Sequence, residues 1–158
     1  MEVLYFGYGA NSSEEMIEAI VGRKPNGAPA ILEAHELCIQ NLEEISEEVK
    51  EILAEFGPTF RTYCIRPGKG VVKGTLWILR NEEHDLIKNW EKHGLWYHPV
   101  EVEIKHRTNI VKAHTETIND PKLKKVDGYL YPPFLNDKEK MFEVARRERE
   151  KYGKNKKS

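Results

Sequence analysis

The stretch that decides the fold begins the chain and reads Val3-Leu-Tyr-Phe-Gly-Tyr-Gly-Ala-Asn-Ser-Ser13. Its apolar, β-prone first half predicts a buried strand. The two glycines allow a sharp turn, and Ser12 with Glu15 three positions later has the capping-box spacing that begins a helix. A strand that runs through such a turn into a helix N-terminus presents several backbone N–H groups at one place. That place suits a carboxylate, a phosphate or a forming oxyanion.

No nucleotide-binding fingerprint accompanies this turn. A dinucleotide-binding turn would carry a third glycine at position 12, where the chain has Ser12, and no Gly-Lys-Ser/Thr follows as a P-loop requires. Junctions of this kind are also common in α/β chains that bind nothing there. The turn is therefore a candidate anion site whose ligand is left open.

Composition and charge limit the classes of function. The chain has 158 residues, 39% of them hydrophobic and 32% charged, which is typical of one soluble globular domain. The formal net charge of −1 favours neither nucleic acid nor a membrane surface, and no apolar run reaches the ~20 residues of a membrane helix. Cys38 and Cys64 have no metal spacing, and the chain begins without a signal peptide. We therefore expect reduced thiols in a cytoplasmic protein.

The rest of the chain alternates between helical and strand periodicity. Glycines and prolines separate the segments and set the predicted boundaries. In the first half of the chain the predicted elements are a helix over 13–22, a turn at 26–29, a strand over 30–39 bent near Ala34, and an amphipathic helix over 41–56 with a solvated acidic face. Two strands over 60–66 and 71–79 follow, joined as an antiparallel hairpin by 67–70. The second half is predicted to have a helix over 82–90, a strand over 97–104, a strand or loop over 106–114, a turn at 122–125, a short strand over 128–131, and a final helix from Asp137 to Tyr152.

A candidate acid–base residue lies in the segment Trp90-Glu-Lys-His-Gly-Leu-Trp-Tyr97. Glu91 is at the predicted end of a helix and has aromatic residues on both sides. A carboxylate held among aromatics loses water, which raises its pKa toward neutrality and makes it a usable general base or acid. The alternative is that Glu91 is one of many surface glutamates, which composition alone favours.

Metal and nucleophile chemistry have little support in the sequence. His93, His98, His106 and His114 are spaced by five, eight and eight residues, which matches no zinc motif. No Gly-x-Ser-x-Gly elbow is present, and neither cysteine begins a helix beside a base. We expect no metal site.

Several short motifs, in order, resemble the γ-glutamylcyclotransferase-like family over residues 3–152. The family's Tyr-Gly-Ser-Asn appears as Tyr8-Gly-Ala-Asn11. Its Leu-Asp-x-x-Glu-Gly appears as Ile87-Lys-Asn-Trp-Glu91, with Tyr97 at the place of the family's following tyrosine. Its Arg-x-Pro, its Pro-x-x-Gly-x-Val-x-Gly-x-Leu segment and its final Tyr-Pro-Pro are matched at 23–25, 67–76 and 131–133.

The resemblance implies an α+β fold, a mixed β-sheet or small barrel with flanking helices, in a single domain over 1–152. The polar, lysine-rich composition of residues 153–158 predicts a basic, flexible tail. The resemblance also implies a cofactor-independent reaction that releases 5-oxoproline from a γ-glutamyl amine or peptide. Glu91 would be the catalytic acid and base. The expected partner is that small-molecule substrate, with no nucleic acid and no membrane, and a homodimer is left open. The residues implied to bind the substrate are Gly7, Tyr8, Gly9, Ala10, Asn11 and Tyr97.

Three departures from the family pattern keep other functions open. Ala10 replaces a serine, Lys88 replaces an aspartate, and the glycine after Glu91 is absent. A binding or regulatory domain that keeps the fold and the pocket without turnover is therefore the main alternative. An enzyme that acts on a different amide with the same carboxylate is a third.

Overall fold

The structure is a computed structural model that describes residues 2–118 and 125–157. Its strands are β1 (Glu2–Gly7), β2 (Asn26–Asn41), β3 (Arg61–Arg80), β4 (His98–His106), β5 (Asn109–Thr117) and β6 (Lys125–Val126). Its α-helices are α1 (Glu14–Val21), α2 (Glu47–Leu53), α3 (Asn81–Trp90) and α4 (Lys138–Lys157), with 3-10 helices at Gly9–Ser12, Leu42–Glu44 and Ala54–Phe56.

The sheet closes into a five-stranded barrel. Strand β1 pairs antiparallel with β3 along its whole length, and it pairs parallel with β5 at Tyr5 and His114. The strand order continues from β5 through β4 to β2, and β2 pairs with β3 to complete the ring. The short β6 adds to the free side of β2. The predicted α+β architecture, a small barrel with flanking helices, is confirmed.

The side chains of β1 alternate between two cores. Leu4 and Phe6, with Tyr8 just after the strand, pack in the barrel interior, whereas Tyr5 lies on the other face and packs with α1, α3 and α4. Successive side chains of a strand point to opposite faces, so this one short strand contributes to both cores. Full burial of side chains as large as Phe6 stabilises the fold by about 1.5–3 kcal/mol each.

The turn after β1 leads into α1 one residue later than predicted. Ser13, not Ser12, is the N-cap, and its hydroxyl oxygen accepts from the Met16 N–H at 3.4 Å. The hydroxyl of Ser12 instead donates to the Gly9 carbonyl at 2.7 Å. Ser12 is already the last residue of the 3-10 helix, so it cannot also supply the extended backbone of an N-cap.

Helix α3, which carries Glu91 at its other end, is held at its start by the segment that follows α1. Arg23 donates through Nε and Nη2 to the two carboxylate oxygens of the buried Glu83, both at 2.7 Å. The same carboxylate accepts from the Arg80 N–H at 2.8 Å. Such a bidentate pair is directional as well as strong, so it sets the orientation of the helix.

The predicted hairpin at 67–70 is wrong, because β3 runs through this segment without a turn. Pro67 pairs with His35 and Val71 pairs with Glu33, so three residues of β3 lie opposite Ala34 alone. Ala34 has a φ of 57°, and this bulge produces the bend that the sequence predicted in β2. A proline is tolerated at such an irregularity because no ladder N–H is needed there.

Other boundaries also differ from the predictions. The turn predicted at 26–29 is the start of β2, paired with β3, and the segment at 128–131 is irregular rather than a strand. The helix predicted over 41–56 is three helices. Ile45 and Ser46, whose backbones are extended, separate the 3-10 helix Leu42–Glu44 from α2, and α2 continues directly into the 3-10 helix Ala54–Phe56. Of the turn predicted at 122–125, residues 122–124 lie outside the described residues. Asp137 caps α4 as predicted, and that helix includes residues 153–157, so the flexibility of the tail stays a prediction.

No helix within residues 2–118 and 125–157 is long and apolar enough to cross a bilayer.

Candidate active site

Glu91 lies at the C-terminal end of α3 and lines a cavity of about 110 Å³. The cavity lies between the turn after β1, the ends of α3 and β5, and the segments around α2 and α4. Five of the predicted substrate-binding residues line the same cavity: Tyr8, Gly9, Ala10, Asn11 and Tyr97. The site residues that the sequence predicted separately are therefore close together.

Gly7 is not among the residues that line the cavity, and its role is in the turn itself. A Cβ at this position would lie 2.1 Å from the Asn11 carbonyl oxygen. That carbonyl accepts from the indole N–H of Trp77 at 2.8 Å, which fixes the end of the turn to β3. Gly7 thus allows the close backbone approach that places Asn11 beside Glu91.

The amides of the turn are less available than the sequence suggested. The first two N–H groups of a 3-10 helix have no partner within it. Here the Gly9 N–H donates to the Tyr131 hydroxyl at 3.0 Å, and that hydroxyl donates to the Lys73 carbonyl at 2.6 Å. Within residues 2–118 and 125–157 the Ala10 N–H has no acceptor outside the 3-10 helix, so it is the candidate donor for a ligand.

Four side chains form a hydrogen-bonded network under the cavity. The Nδ2 group of Asn11 donates to Glu91 Oε1 at 2.8 Å and to the Tyr5 hydroxyl at 2.9 Å. That hydroxyl donates in turn to the Glu116 carboxylate, at 2.8 Å to Oε2 and 3.0 Å to Oε1. Because Tyr5 gives its one proton to Glu116, its oxygen must accept from Asn11, and this fixes which end of the Asn11 amide meets Glu91.

Glu116 is a second carboxylate of the site, and the sequence did not predict it. It lies near the end of β5, is 3% exposed, and its Oε2 is 3.2 Å from the Thr115 hydroxyl, which donates its proton to the Phe6 carbonyl at 2.7 Å. His93 Nε2 lies 3.5 Å from Glu116 Oε1, within ion-pair range but without a hydrogen bond. The sequence offers only a weak signal, a glutamate between two threonines in a β-prone run.

Burial raises the pKa of Glu91 to about 8, and the nearby negative charge of Glu116 adds to the effect. The hydrogen bond from Asn11 and the charge of Lys92 lower the same pKa, but by less. Burial also raises the pKa values of Tyr5, Tyr8 and Tyr97 well above 10.0, so these phenols stay protonated donors. A carboxyl with a pKa near neutrality is suited to both accept and donate a proton.

Replacing Glu116 with glutamine is expected to lower the pKa of Glu91. The variant removes a like charge, while burial still holds the value above the usual 4.5. The measurement is a ¹³C NMR titration of glutamate side-chain carboxyls, with the Glu91 signal assigned from its loss in Glu91→Gln. The matched control is Glu33→Gln, which removes an exposed charge paired with Lys105. An unchanged Glu91 pKa would contradict the assignment of Glu116 as its charged neighbour.

Tyr97 is held rigidly at the cavity wall. Its hydroxyl donates to the Tyr63 carbonyl at 2.6 Å and lies 3.1 Å from the Thr62 hydroxyl. The phenol proton of Tyr97 is therefore used in a hydrogen bond to the backbone of β3. Tyr97 offers a substrate its ring more than its hydroxyl.

The histidines lie on several different elements. No group of three or more His, Cys, Asp or Glu side chains with metal-binding geometry occurs in the part of the chain that the structure describes. His98 and His106 are the two ends of β4, His114 lies on β5, and His93 lies beside Glu116. Burial lowers the pKa of a further histidine, His84, to about 4, so it is neutral.

The fold matches those of solved proteins at low sequence identity. A γ-glutamyl cyclotransferase has a TM-score of 0.62 and 18% identity, covering 79% of this chain and 70% of its own. An uncharacterised protein from Homo sapiens has a TM-score of 0.59 and 19% identity, covering 78% and 69%. A protein from Arabidopsis thaliana has a TM-score of 0.57 and 18% identity, covering 90% and 83%. No protein-family model matches the chain, and no curated protein does so by sequence.

These similarities define a class by its architecture. The chain has the α+β barrel fold of γ-glutamyl cyclotransferase and of its uncharacterised structural relatives. At 18–19% identity the likeness shows the fold alone.

Proposed function

We propose that the protein is a cofactor-independent cyclotransferase that releases 5-oxoproline from a γ-glutamyl amine or peptide, with Glu91 as its acid and base. The observation that supports this most is the pKa of Glu91, raised to about 8 in a cavity that the turn Tyr8–Asn11 also lines. A raised carboxyl pKa in a cavity is the usual sign of a proton-transfer residue. The fold shared with a γ-glutamyl cyclotransferase supports the substrate class.

In this reaction the nucleophile belongs to the substrate. The Glu91 carboxylate takes a proton from the substrate's α-ammonium, and the freed amine attacks the γ-carbonyl carbon. The new C–N bond closes the five-membered ring, and Glu91 returns its proton to the leaving nitrogen as the bond to that nitrogen breaks. The second proton of the ring nitrogen then passes to the departing amine, so the products are 5-oxoproline and the ammonium form of the leaving group, with no net change in protons or electrons. The protein's main contribution is to hold the substrate folded back on itself.

The remaining predicted residues have roles that fit this chemistry. The Ala10 amide, at the start of the 3-10 helix, can donate to the substrate carboxylate or to the oxyanion that forms on the γ-carbonyl. Asn11 orients the Glu91 carboxylate through its hydrogen bond to Oε1. Ala10 lacks the hydroxyl of the serine at the matching family position, so the backbone carries this role alone.

One observation favours a binding domain without turnover. With a pKa of about 8, Glu91 is largely protonated at neutral pH and is then a hydrogen-bond donor rather than a base. In the enzyme proposal the α-ammonium of the bound substrate lies beside the Glu91 carboxyl, and its positive charge favours the ionised form of that carboxyl. In the free enzyme, kcat/KM should therefore rise with pH as Glu91 loses its proton near pH 8.

The experiment that tests the proposal is 5-oxoproline release at pH 8.5 from γ-glutamyl dipeptides, γ-glutamylamines and glutathione. We expect release from at least one class of donor, with equimolar free amine. A protein that binds these donors without releasing 5-oxoproline would be the binding domain. Release of free glutamate instead would indicate that water, not the substrate's amine, attacks the amide.

A further inference from the structure

The segment around α2 forms an apolar end of the cavity. The four apolar side chains that it contributes to the lining are Val49, Ile52, Leu53 and Phe56. Val49 and Leu53 are buried in a small core with Phe60, and Phe56 and Trp96 pack against that core. The sequence predicted an amphipathic helix here without a role. In the structure the apolar face of this segment lines the same cavity as Glu91.

A row of aromatic rings joins this apolar end to the predicted reaction site. The ring centroids are 5.4 Å apart for Phe56 and Phe60, 6.1 Å for Phe60 and Trp96, and 4.8 Å for Trp96 and Tyr97. Phe56, Phe60, Trp96 and Tyr97 all line the cavity together with Glu91. A ligand held at Glu91 therefore has a continuous aromatic surface beside it.

The polar groups near these rings already have partners. The Trp96 indole N–H donates to Gln40 Oε1 at 2.9 Å. The Glu55 carboxylate, which lines the cavity, is paired with Arg147 and with Lys140. A charged side chain of a ligand placed against these rings would lose water while the Trp96 N–H and Glu55 are already engaged, whereas an apolar side chain loses nothing by leaving water.

Two cationic side chains also line the cavity, and they differ in their surroundings. Lys92 lies 3.7 Å from Glu148 and is paired. Arg61 is exposed, and it suits the carboxylate that an amino acid leaving group carries. The cavity therefore combines an exposed guanidinium with an apolar, aromatic wall.

We propose that the apolar end formed by α2 and its flanking aromatics binds the leaving group, so that preferred substrates are γ-glutamyl derivatives of amino acids with large apolar or aromatic side chains. This inference rests on the proposed cyclotransferase function. Burying a phenylalanine-sized group rather than a methyl group in such a pocket should raise kcat/KM roughly tenfold to a hundredfold.

The test compares kcat/KM for γ-glutamyl-phenylalanine, γ-glutamyl-alanine and γ-glutamyl-aspartate, which all keep the leaving-group carboxylate. We expect the order phenylalanine, alanine, aspartate. In Ile52→Ala and Phe56→Ala the ratio of phenylalanine to alanine should fall several-fold. In the control Ile110→Ala, which trims another exposed apolar side chain away from the cavity lining, the ratio should not change. Equal rates for the three donors, or a ratio unaffected at Ile52 and Phe56, would overturn the inference.

Calorimetric binding of the same donors to the wild-type protein separates this inference from the proposed reaction. Tighter binding of γ-glutamyl-phenylalanine with no 5-oxoproline release would keep the apolar subsite and overturn only the reaction. Release without a difference in Kd or kcat/KM between donors would keep the reaction and overturn the subsite. Equal Kd values with no release would overturn both.

Discussion

Replacing Glu91 with glutamine is expected to lower kcat for 5-oxoproline release by about 10²- to 10⁴-fold, the usual contribution of a general acid–base group. Glutamine has nearly the same shape, and its carbonyl oxygen can still accept from Asn11 Nδ2. It cannot take a proton from the substrate. The loss should therefore appear in kcat more than in the Kd of the substrate.

The same variant should also be more stable than the wild type at alkaline pH. The folded-state pKa of Glu91, about 8, is above the ordinary value of 4.5, so the folded protein binds this proton more tightly than the unfolded protein does. The stability that the neutral Glu91 carboxyl gives the folded state is fully present below pH 4.5 and is lost as pH rises through 8. Glutamine stays neutral at all pH values and avoids this loss.

The measurement is the difference in Tm between Glu91→Gln and the wild type at pH 5.5 and at pH 9. We expect the Tm of the variant relative to the wild type to be higher at pH 9 than at pH 5.5. The shift should be about 2–4 °C for each kcal/mol of unfolding free energy that the wild type loses when Glu91 ionises. Glu33→Gln, the exposed control, should show no such pH dependence. Retained 5-oxoproline release, or a Tm difference equal at both pH values, would contradict the role assigned to Glu91.

Gly7→Ala is expected to destabilise the protein by about 3 kcal/mol or more, a lowering of Tm by roughly 10 °C. The new Cβ would lie 2.1 Å from the Asn11 carbonyl oxygen and 3.1 Å from Trp77 Nε1. Backbone atoms cannot rotate away as a flexible side chain can, so the turn must shift and the 2.8 Å bond between Trp77 and Asn11 must lengthen. The Asn11–Glu91 contact would move with it, so activity should fall as well.

The matched control is Gly153→Ala. Gly153 lies within α4, and a Cβ there would have no atom within 4 Å. Alanine favours a helix over glycine by up to about 1 kcal/mol, so this variant should be as stable as the wild type or slightly more stable. A Gly7→Ala protein with wild-type Tm by circular dichroism would show that the turn can relax without cost.

The sequence predicted the parts of the fold that depend on local periodicity. β1, the turn after it, α1, α3 and the bend at Ala34 follow from alternation, glycine placement and helical spacing, which act over a few residues. Glu91 was predicted because its aromatic neighbours are adjacent in sequence. The cavity then joins it to residues 8–11, which only the resemblance had connected with it.

The failed hairpin prediction shows where local patterns mislead. Gly68 and Gly70 were interpreted as turn glycines, yet a Cβ at these positions would lie 2.2 Å from Glu36 Cγ and 2.9 Å from the His35 carbonyl oxygen. They are present because β2 approaches β3 closely, and that approach belongs to a partner about 30 residues away. Glycines needed for a turn and glycines needed for a close approach have the same sequence pattern.

Glu116 could not be predicted for a related reason. It departs from the inside–outside alternation of β5, since Thr115 and Glu116 are both buried. The groups that make its burial tolerable, the Tyr5 hydroxyl and His93, come from β1 and from the turn after α3. A buried charge is recognised by its partners, and these partners are distant in the sequence.

The placement of β1 between β3 and β5 has a consequence for how the chain assembles. β1 and its turn are synthesised before both of the strands that pair with β1, and these strands are finished only at Arg80 and Thr117. Contacts between segments so far apart make folding slow, because the intervening loop must close before pairing stabilises it. β1 must therefore wait for both partners, and the segment that carries Tyr8–Asn11 takes its final shape late.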